Sequence, residues 1–109
     1  MEKQMAWIYL SLASVVEIIM AIALKYANGW TRLTPSLVGV GAAACSVLYL
    51  TLAMRNLPAG TAYAIWTGTG SVGVAVLGIY LFDDALSPLR LLCIALIIGG
   101  TIGLRLLDA

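Results

Sequence analysis

Four long apolar runs, separated by short polar connections, constrain what this chain can fold into. Each run holds about 20 residues, which is the length of an α-helix that crosses the hydrocarbon core of a bilayer. The 109 residues are 62% hydrophobic and only 10% charged, too few polar residues to cover a water-facing surface. We therefore predict an all-α membrane protein, with one four-helix transmembrane domain over residues 1–109 and helices at about 6–26, 35–54, 60–82 and 89–107.

Charge and residue usage exclude several classes of function. The net charge of +1 gives no basic surface for nucleic acid. The chain has no histidine, and Cys45 and Cys93 lie inside apolar runs, where cysteine behaves as a small hydrophobic residue. Neither a nucleophile–base pair nor a set of metal ligands can be assembled. We expect no cofactor, no metal and no enzymatic activity.

The first apolar run contains an acid, Glu17. Trp7 and Tyr26, 19 residues apart, span about 28 Å of helix and mark the two interfaces of the bilayer. Glu17 lies ten residues after Trp7 and therefore close to the bilayer midplane. The nearest base in this helix, Lys25, is about 12 Å further along and can extend its amine to the interface, which argues against an ion pair.

A lone carboxyl group at that depth is costly, by about 2.5–3.5 kcal/mol on insertion scales, and indicates a function. Burial disfavours its charged form, so Glu17 can hold either a proton or a cation but not both well. Exclusion of one ligand by the other is sufficient for antiport. We therefore predict that Glu17 is the shared proton and substrate site.

The basic residues at the helix ends are balanced between the two sides of the membrane. Three lie on one side and three on the other: Lys3, Arg55 and Arg105, against Lys25, Arg32 and Arg90. The positive-inside rule then gives no orientation. Either chance in a small protein or insertion of copies both ways up accounts for this balance.

Size favours the second explanation, because four helices are too few to enclose a midplane site and gate both of its sides. Two inverted copies would supply eight helices, as inverted repeats do in larger transporters. We expect an antiparallel homodimer. The small-residue spacing of Gly99 and Gly103 in the fourth helix, where no polar group is available to bind substrate, predicts its dimer interface.

Two serines are candidate neighbours of Glu17. Ser14 lies one turn before it on the same face of the first helix. Ser46, in the second helix, lies among small residues. For both hydroxyl groups, a hydrogen bond to the helix backbone is as good an interpretation as a role at the site.

The third helix carries two aromatic candidates and a glycine cluster. Tyr63 and Trp66 share one face, where a phenol can orient a carboxylate and an indole can bind a cation through its π face. Aromatic anchoring at the headgroup level is the alternative, and it is stronger for Tyr63. The glycines that follow, Gly68, Gly70 and Gly73, predict either a hinge or close helix packing.

These residues resemble the small multidrug resistance family over the whole chain. The resemblance rests on Glu17, on Leu24-Lys25-Tyr26, Gly29, Thr31-Arg32-Leu33 and Pro35-Ser36, and on the block Leu57-Pro58-Ala59-Gly60-Thr61-Ala62-Tyr63-Ala64-Ile65-Trp66. It implies a bacterial inner-membrane antiparallel dimer that exchanges protons for organic cations. It also implies that Tyr63 and Trp66 line the cavity and that Ser46 forms a hydrogen bond near Glu17.

Two segments, 21–25 and 66–73, look like the guanidinium exporter branch of that family. One position departs from it, since Met20 stands where that branch typically has a tryptophan. Methionine is flexible and fills irregular space. A looser cavity, with tolerance for small quaternary ammonium compounds, is the expectation, and Met20 is included among the substrate-contacting residues.

The expected function is therefore proton-coupled export of guanidinium and small substituted guanidinium cations. A broad quaternary ammonium exporter is the first alternative. A passive dual-topology channel and a non-transporting assembly subunit are the others. The expected partners are the organic cation, protons, membrane lipid and a second copy of the chain.

Overall fold

The computed structural model describes residues 2–108 as four α-helices joined by short connections. Their bounds are α1, Glu2–Tyr26; α2, Leu33–Met54; α3, Ala59–Leu81; and α4, Pro88–Leu107. Each helix has at least 20 residues and is apolar enough to cross a membrane. The expectation of an all-helical protein with four helices of membrane-spanning length is confirmed.

Helices α1 and α2 begin earlier than the apolar runs indicate. α1 starts at Glu2, so its first turn is polar and precedes the apolar run. α2 starts at Leu33, which places Pro35 at the third helical position rather than the first. A proline fits there as well, because the first four N–H groups of a helix have no partner within it.

The connection between α1 and α2 turns through three residues with positive φ. Asn28, Gly29 and Trp30 have φ of 50°, 69° and 70°. Asparagine and glycine adopt this left-handed region at low cost, and they end helices for that reason. The Thr31 hydroxyl donates a hydrogen bond to the Asn28 carbonyl at 2.8 Å, which closes the turn.

Helices α3 and α4 are bounded by ordinary helix-end residues. Pro58 precedes α3, and Phe82 follows its last residue. Pro88 occupies the first turn of α4, and the Ser87 hydroxyl before it accepts a hydrogen bond from the Arg90 N–H at 3.1 Å. Serine is a preferred residue at this capping position because it satisfies one of the free N–H groups of the first turn.

Three helices form the packed part of the molecule, and the fourth lies at its edge. α1 packs against α2 and α3, while α4 approaches only α3 through its backbone within residues 2–108. The buried apolar cluster joins α1, α2, α3 and the connection between α2 and α3; it contains Ala6, Leu10, Ala13, Leu50, Ala53, Leu57, Ala62 and Ile65. No residue of 88–107 is buried, so α4 contributes little to this cluster.

Aromatic and basic side chains meet at both ends of the helices. At one end the Arg105 guanidinium lies 3.9 Å from the centroid of the Trp7 ring. At the other end the Lys25 amine lies 5.7 Å from the centroid of the Phe82 ring, and Tyr26 packs on the same ring at 5.2 Å. Glu17 lies in α1 between these two levels.

Candidate functional site

The Glu17 side chain points from α1 toward α3 and its carboxylate lies against Gly70. A methyl group at Gly70 would overlap both the carboxyl carbon and Oε2. Oε2 is buried, and no donor among residues 2–108 forms a hydrogen bond with it. A buried carboxylate oxygen without a partner is costly and is therefore expected to receive a ligand that a single ligand-free chain does not supply.

Each of the three glycines predicted to form a hinge packs against a side chain of a neighbouring helix. Gly68 faces Thr101 of α4, Gly70 faces Glu17, and Gly73 faces Ile18. α3 is one continuous helix across these positions. Close packing is thus present at each glycine, and movement about Gly68–Gly73 stays a prediction.

A chain of two hydrogen bonds links α3, α2 and α1 one turn before Glu17. The Trp66 indole N–H donates to the Ser46 hydroxyl at 2.9 Å. That hydroxyl in turn donates to the Ala13 carbonyl at 2.7 Å, and Ser46 is fully buried. Ser46 therefore reaches the helix that carries Glu17 but bonds its backbone rather than its carboxylate. The indole is held in one orientation as a result.

Tyr63 and Trp66 form an edge-to-face pair. Their ring centroids are 5.4 Å apart and the rings are inclined by 61°. Trp66 is half-buried and packs against the apolar cluster, whereas 54% of the Tyr63 side chain is exposed in the single chain. The edge-to-face contact favours a defined position for the phenol despite this exposure.

Ser14 and Met20 lie one turn before and one turn after Glu17. The Ser14 hydroxyl is buried and donates to the Leu10 carbonyl of its own helix at 2.9 Å. Its proton is therefore used by the backbone. Met20 is half-buried and lies three residues after Glu17 in α1. A role for either residue in substrate binding stays a prediction.

The glycines predicted for the dimer interface are open in the single chain. A methyl group at Gly99 or Gly103 would meet no atom within 4 Å. That face of α4 can therefore accept another helix without rearrangement of the chain itself. Within residues 2–108, no group of three or more acidic or cysteine side chains is arranged to hold a metal ion.

Comparison with known proteins gives the family. The profile of the Small Multidrug Resistance protein family matches residues 5–97 of this chain. The chain belongs to the small multidrug resistance family. The two chief segments of the resemblance, around Glu17 and from Leu57 to Trp66, both lie within the matched range.

Individual members of the small multidrug resistance family match the chain over almost its full length. A protein named guanidinium exporter from Citrobacter freundii is 52% identical over 102 residues, which is 94% of this chain and 97% of that protein. A guanidinium exporter from Salmonella typhimurium has the same identity and coverage. One from Yersinia pestis is 54% identical over 102 residues, 94% of this chain and 98% of that protein. The predicted resemblance to the guanidinium exporter branch is confirmed.

Family membership and the four apolar helices make this chain a multi-pass protein of the bacterial inner membrane. The matching relatives are exporters rather than enzymes, in agreement with the absence of enzymatic groups expected from the sequence.

Two features of the site were not recognised from the sequence. The sequence predicts a hinge or close helix packing at Gly70 but does not identify its neighbour, which is the Glu17 carboxylate. The Ala13 carbonyl accepts the Ser46 hydrogen bond, a role that any residue can fill through its backbone. The position of Gly70 on the face shared by Tyr63 and Trp66 was the available signal for the first; no side-chain signal exists for the second.

Proposed function

We propose that this chain exports guanidinium and small substituted guanidinium cations in exchange for protons, and that Glu17 binds both. The observation that carries the proposal is the buried Oε2 atom of Glu17, which has no hydrogen-bond partner among residues 2–108. Either a proton or a donor from the substrate can occupy that oxygen. Because both ligands need the same group, binding of one displaces the other.

The chemistry around Glu17 suits a flat cation with several N–H donors. A guanidinium ion forms two parallel N–H bonds with a carboxylate, a geometry that a spherical ammonium ion cannot use. The indole of Trp66, held by Ser46, offers a rigid aromatic surface nearby. Cation–π attraction to such a surface contributes about 0.5–2 kcal/mol, depending on desolvation. Relatives that are 52–54% identical to this chain are named guanidinium exporters, which supports this substrate class.

We further propose that the working unit is an antiparallel homodimer. Three basic residues lie at each end of the four helices, so neither orientation in the membrane is favoured. The absence of buried residues within 88–107 and the open surface at Gly99 and Gly103 support pairing through α4. A second copy would also cover the exposed phenol of Tyr63 and bring a second Glu17 to the same cavity.

Labelling of engineered cysteines in cells tests the two orientations. Cys45 and Cys93 are replaced by alanine, and one new cysteine is placed at Asn56 or, in a second variant, at Thr31, in connections at opposite ends of the helices. Dual topology predicts that about half of each variant reacts with a membrane-impermeant maleimide. Complete labelling of one variant and none of the other would contradict it.

Transport itself is tested in liposomes that contain the purified protein and a pH-sensitive dye. A gradient of guanidinium should drive protons in the opposite direction. Met20 favours a second substrate class, small quaternary ammonium ions, because a flexible thioether confines the site less than an indole would. A tetra-alkylammonium gradient is therefore compared with the guanidinium gradient. No proton movement with either ion would overturn the proposal.

A further inference from the structure

A groove separates α1 from α4, with Ile65 and Thr69 of α3 at its base. Its volume is about 580 Å³. The groove exists because the backbones of α1 and α4 do not approach each other within residues 2–108. Its walls are mainly apolar and exposed, and they include Ile8, Leu12 and Val15 from α1 and Ile102 and Leu106 from α4.

Four hydroxyl groups line the groove, those of Ser11, Ser14, Thr69 and Thr101, and the two on α1 are bonded to their own helix. The Ser11 hydroxyl donates to the Trp7 carbonyl at 2.9 Å, and the Ser14 hydroxyl donates to Leu10. Neither hydroxyl proton is free for a ligand. The lining residues include no acid, and Glu17 is not among them. The interior of the groove thus suits an apolar chain and gives no counter-charge for an organic cation.

One end of the groove carries a cation at the level of the bilayer interface. Arg105, in the last turn of α4, lines this end together with Trp7, and its guanidinium lies 3.9 Å from the Trp7 ring centroid. Within residues 2–108 it forms no salt bridge, and the adjacent acid, Asp108, accepts a hydrogen bond from Thr61. A guanidinium beside an interfacial tryptophan is placed at the depth of lipid phosphates.

The length of the groove corresponds to one leaflet. From Trp7 to Val15 it follows α1 for about 12 Å, at 1.5 Å per residue. The hydrocarbon core is about 30 Å thick, so one leaflet contributes about half of that. An acyl chain entering beside Arg105 would therefore lie along the groove within its own leaflet.

We propose that the groove between α1 and α4 binds an anionic phospholipid, with one acyl chain against Leu12 and Ile102 and its phosphate on Arg105. Charge complementarity selects this occupant, because Arg105 at the mouth repels cations and attracts phosphate while the interior is mainly apolar and has no acid. Glu17 is not among the lining residues, although Ser14, one turn before it, is one of them. The proposal does not depend on the transport chemistry proposed above.

Native mass spectrometry of the purified protein with added phosphatidylglycerol or phosphatidylcholine tests this. The protein should retain phosphatidylglycerol in preference to phosphatidylcholine. Arg105→Gln should weaken phosphatidylglycerol binding about fivefold, the effect expected for one basic residue at a membrane surface. Arg90→Gln is the matched control at the opposite end of α4 and should bind phosphatidylglycerol as the unmodified protein does. Equal retention of both lipids, or unchanged binding by Arg105→Gln, would overturn the proposal.

A second pair of variants tests the groove rather than the charge. Ile102→Trp should fill the groove and displace the bound phosphatidylglycerol, whereas Leu91→Trp, also exposed on α4 but outside the groove, should not. If Ile102→Trp lowers the dimer fraction and leaves lipid binding unchanged, the groove is covered by a second copy, and the lipid site is wrong.

Discussion

The carboxylate of Glu17 lies directly on the backbone of Gly70, in the space that a β-carbon would occupy. α3 thereby fixes where the one acid in the middle of α1 can lie. The substitution Gly70→Ala should move the carboxylate without unfolding the protein, because the displaced atoms are the flexible end of a side chain. We expect guanidinium affinity to fall about tenfold, a loss of about 1.4 kcal/mol of binding free energy. Isothermal titration in detergent measures it.

Gly73→Ala is the matched control for that substitution. It creates a similar overlap, but with the side chain of Ile18, the residue after Glu17. Its guanidinium affinity should stay within about threefold of the unmodified protein, because no carboxylate is moved. Equal losses of affinity in both variants would indicate that these glycines act through α3 as a whole, as the hinge hypothesis requires.

Removal of the Ser46 hydroxyl should affect both stability and the position of Trp66. Ser46→Ala leaves the indole N–H of Trp66 without its acceptor and removes the side-chain donor to the Ala13 carbonyl, which keeps its partner within α1. A buried polar group left unpaired costs about 1–3 kcal/mol. We expect a loss of unfolding free energy of that size, together with a shift of the Trp66 indole signal in ¹H–¹⁵N spectra.

Two further variants make the Ser46 test specific. Ser46→Thr retains the hydroxyl and should restore most of the indole signal position. Thr51→Ala removes an exposed hydroxyl in the same helix that bonds only the backbone of Leu48, and it should change neither quantity appreciably. An unshifted indole signal in Ser46→Ala would contradict the hydrogen-bond chain.

The breadth of substrate recognition should depend on Met20. Met20→Trp should narrow the substrate range toward guanidinium, because a rigid indole one turn from Glu17 confines a flat cation better than a flexible thioether. The ratio of guanidinium to tetra-alkylammonium transport in liposomes measures this. Ile19→Trp, at an exposed neighbouring position, is the control and should leave the ratio unchanged. The same ratio in Met20→Trp as in the unmodified protein would remove Met20 from the site.

Pairing through α4 should be sensitive to bulk at Gly99 and Gly103. The double variant Gly99→Leu, Gly103→Leu should fold, because neither position has a neighbour within 4 Å in the single chain, but its dimer fraction should fall. Gly41→Leu, at an equally open position on α2, should dimerise normally. Cross-linking in membranes measures the dimer fraction. An unchanged fraction in the double variant would place the interface elsewhere.

The sequence was most informative where a residue type is costly in lipid. The four apolar runs predicted the helices. The predicted depth of Glu17 rests on its distance to Trp7, because helix geometry is regular. The first residues of the helices were less predictable. α1 begins in a polar turn and α2 begins two residues before Pro35, and hydropathy detects neither start.

Contacts between helices were the least predictable part of the site. Gly70 has no side chain whose chemistry could identify it as the surface beneath Glu17. Likewise, the sequence allowed Ser46 to bond either a backbone or the carboxylate, and only the relative positions of α1 and α2 select the Ala13 carbonyl. The groove beside Arg105 arises from the separation of α1 and α4, which no local pattern encodes.

Proton release on addition of guanidinium to the purified protein in weakly buffered detergent tests the central claim most directly. If Glu17 binds both ligands, guanidinium should release protons, and its affinity should fall as the pH is lowered, because a protonated carboxyl group cannot pair with the cation. Glu17→Gln should release none, while Glu2→Gln, at the exposed start of α1, should release as many as the unmodified protein. Proton release by Glu17→Gln equal to that of the unmodified protein would contradict the account.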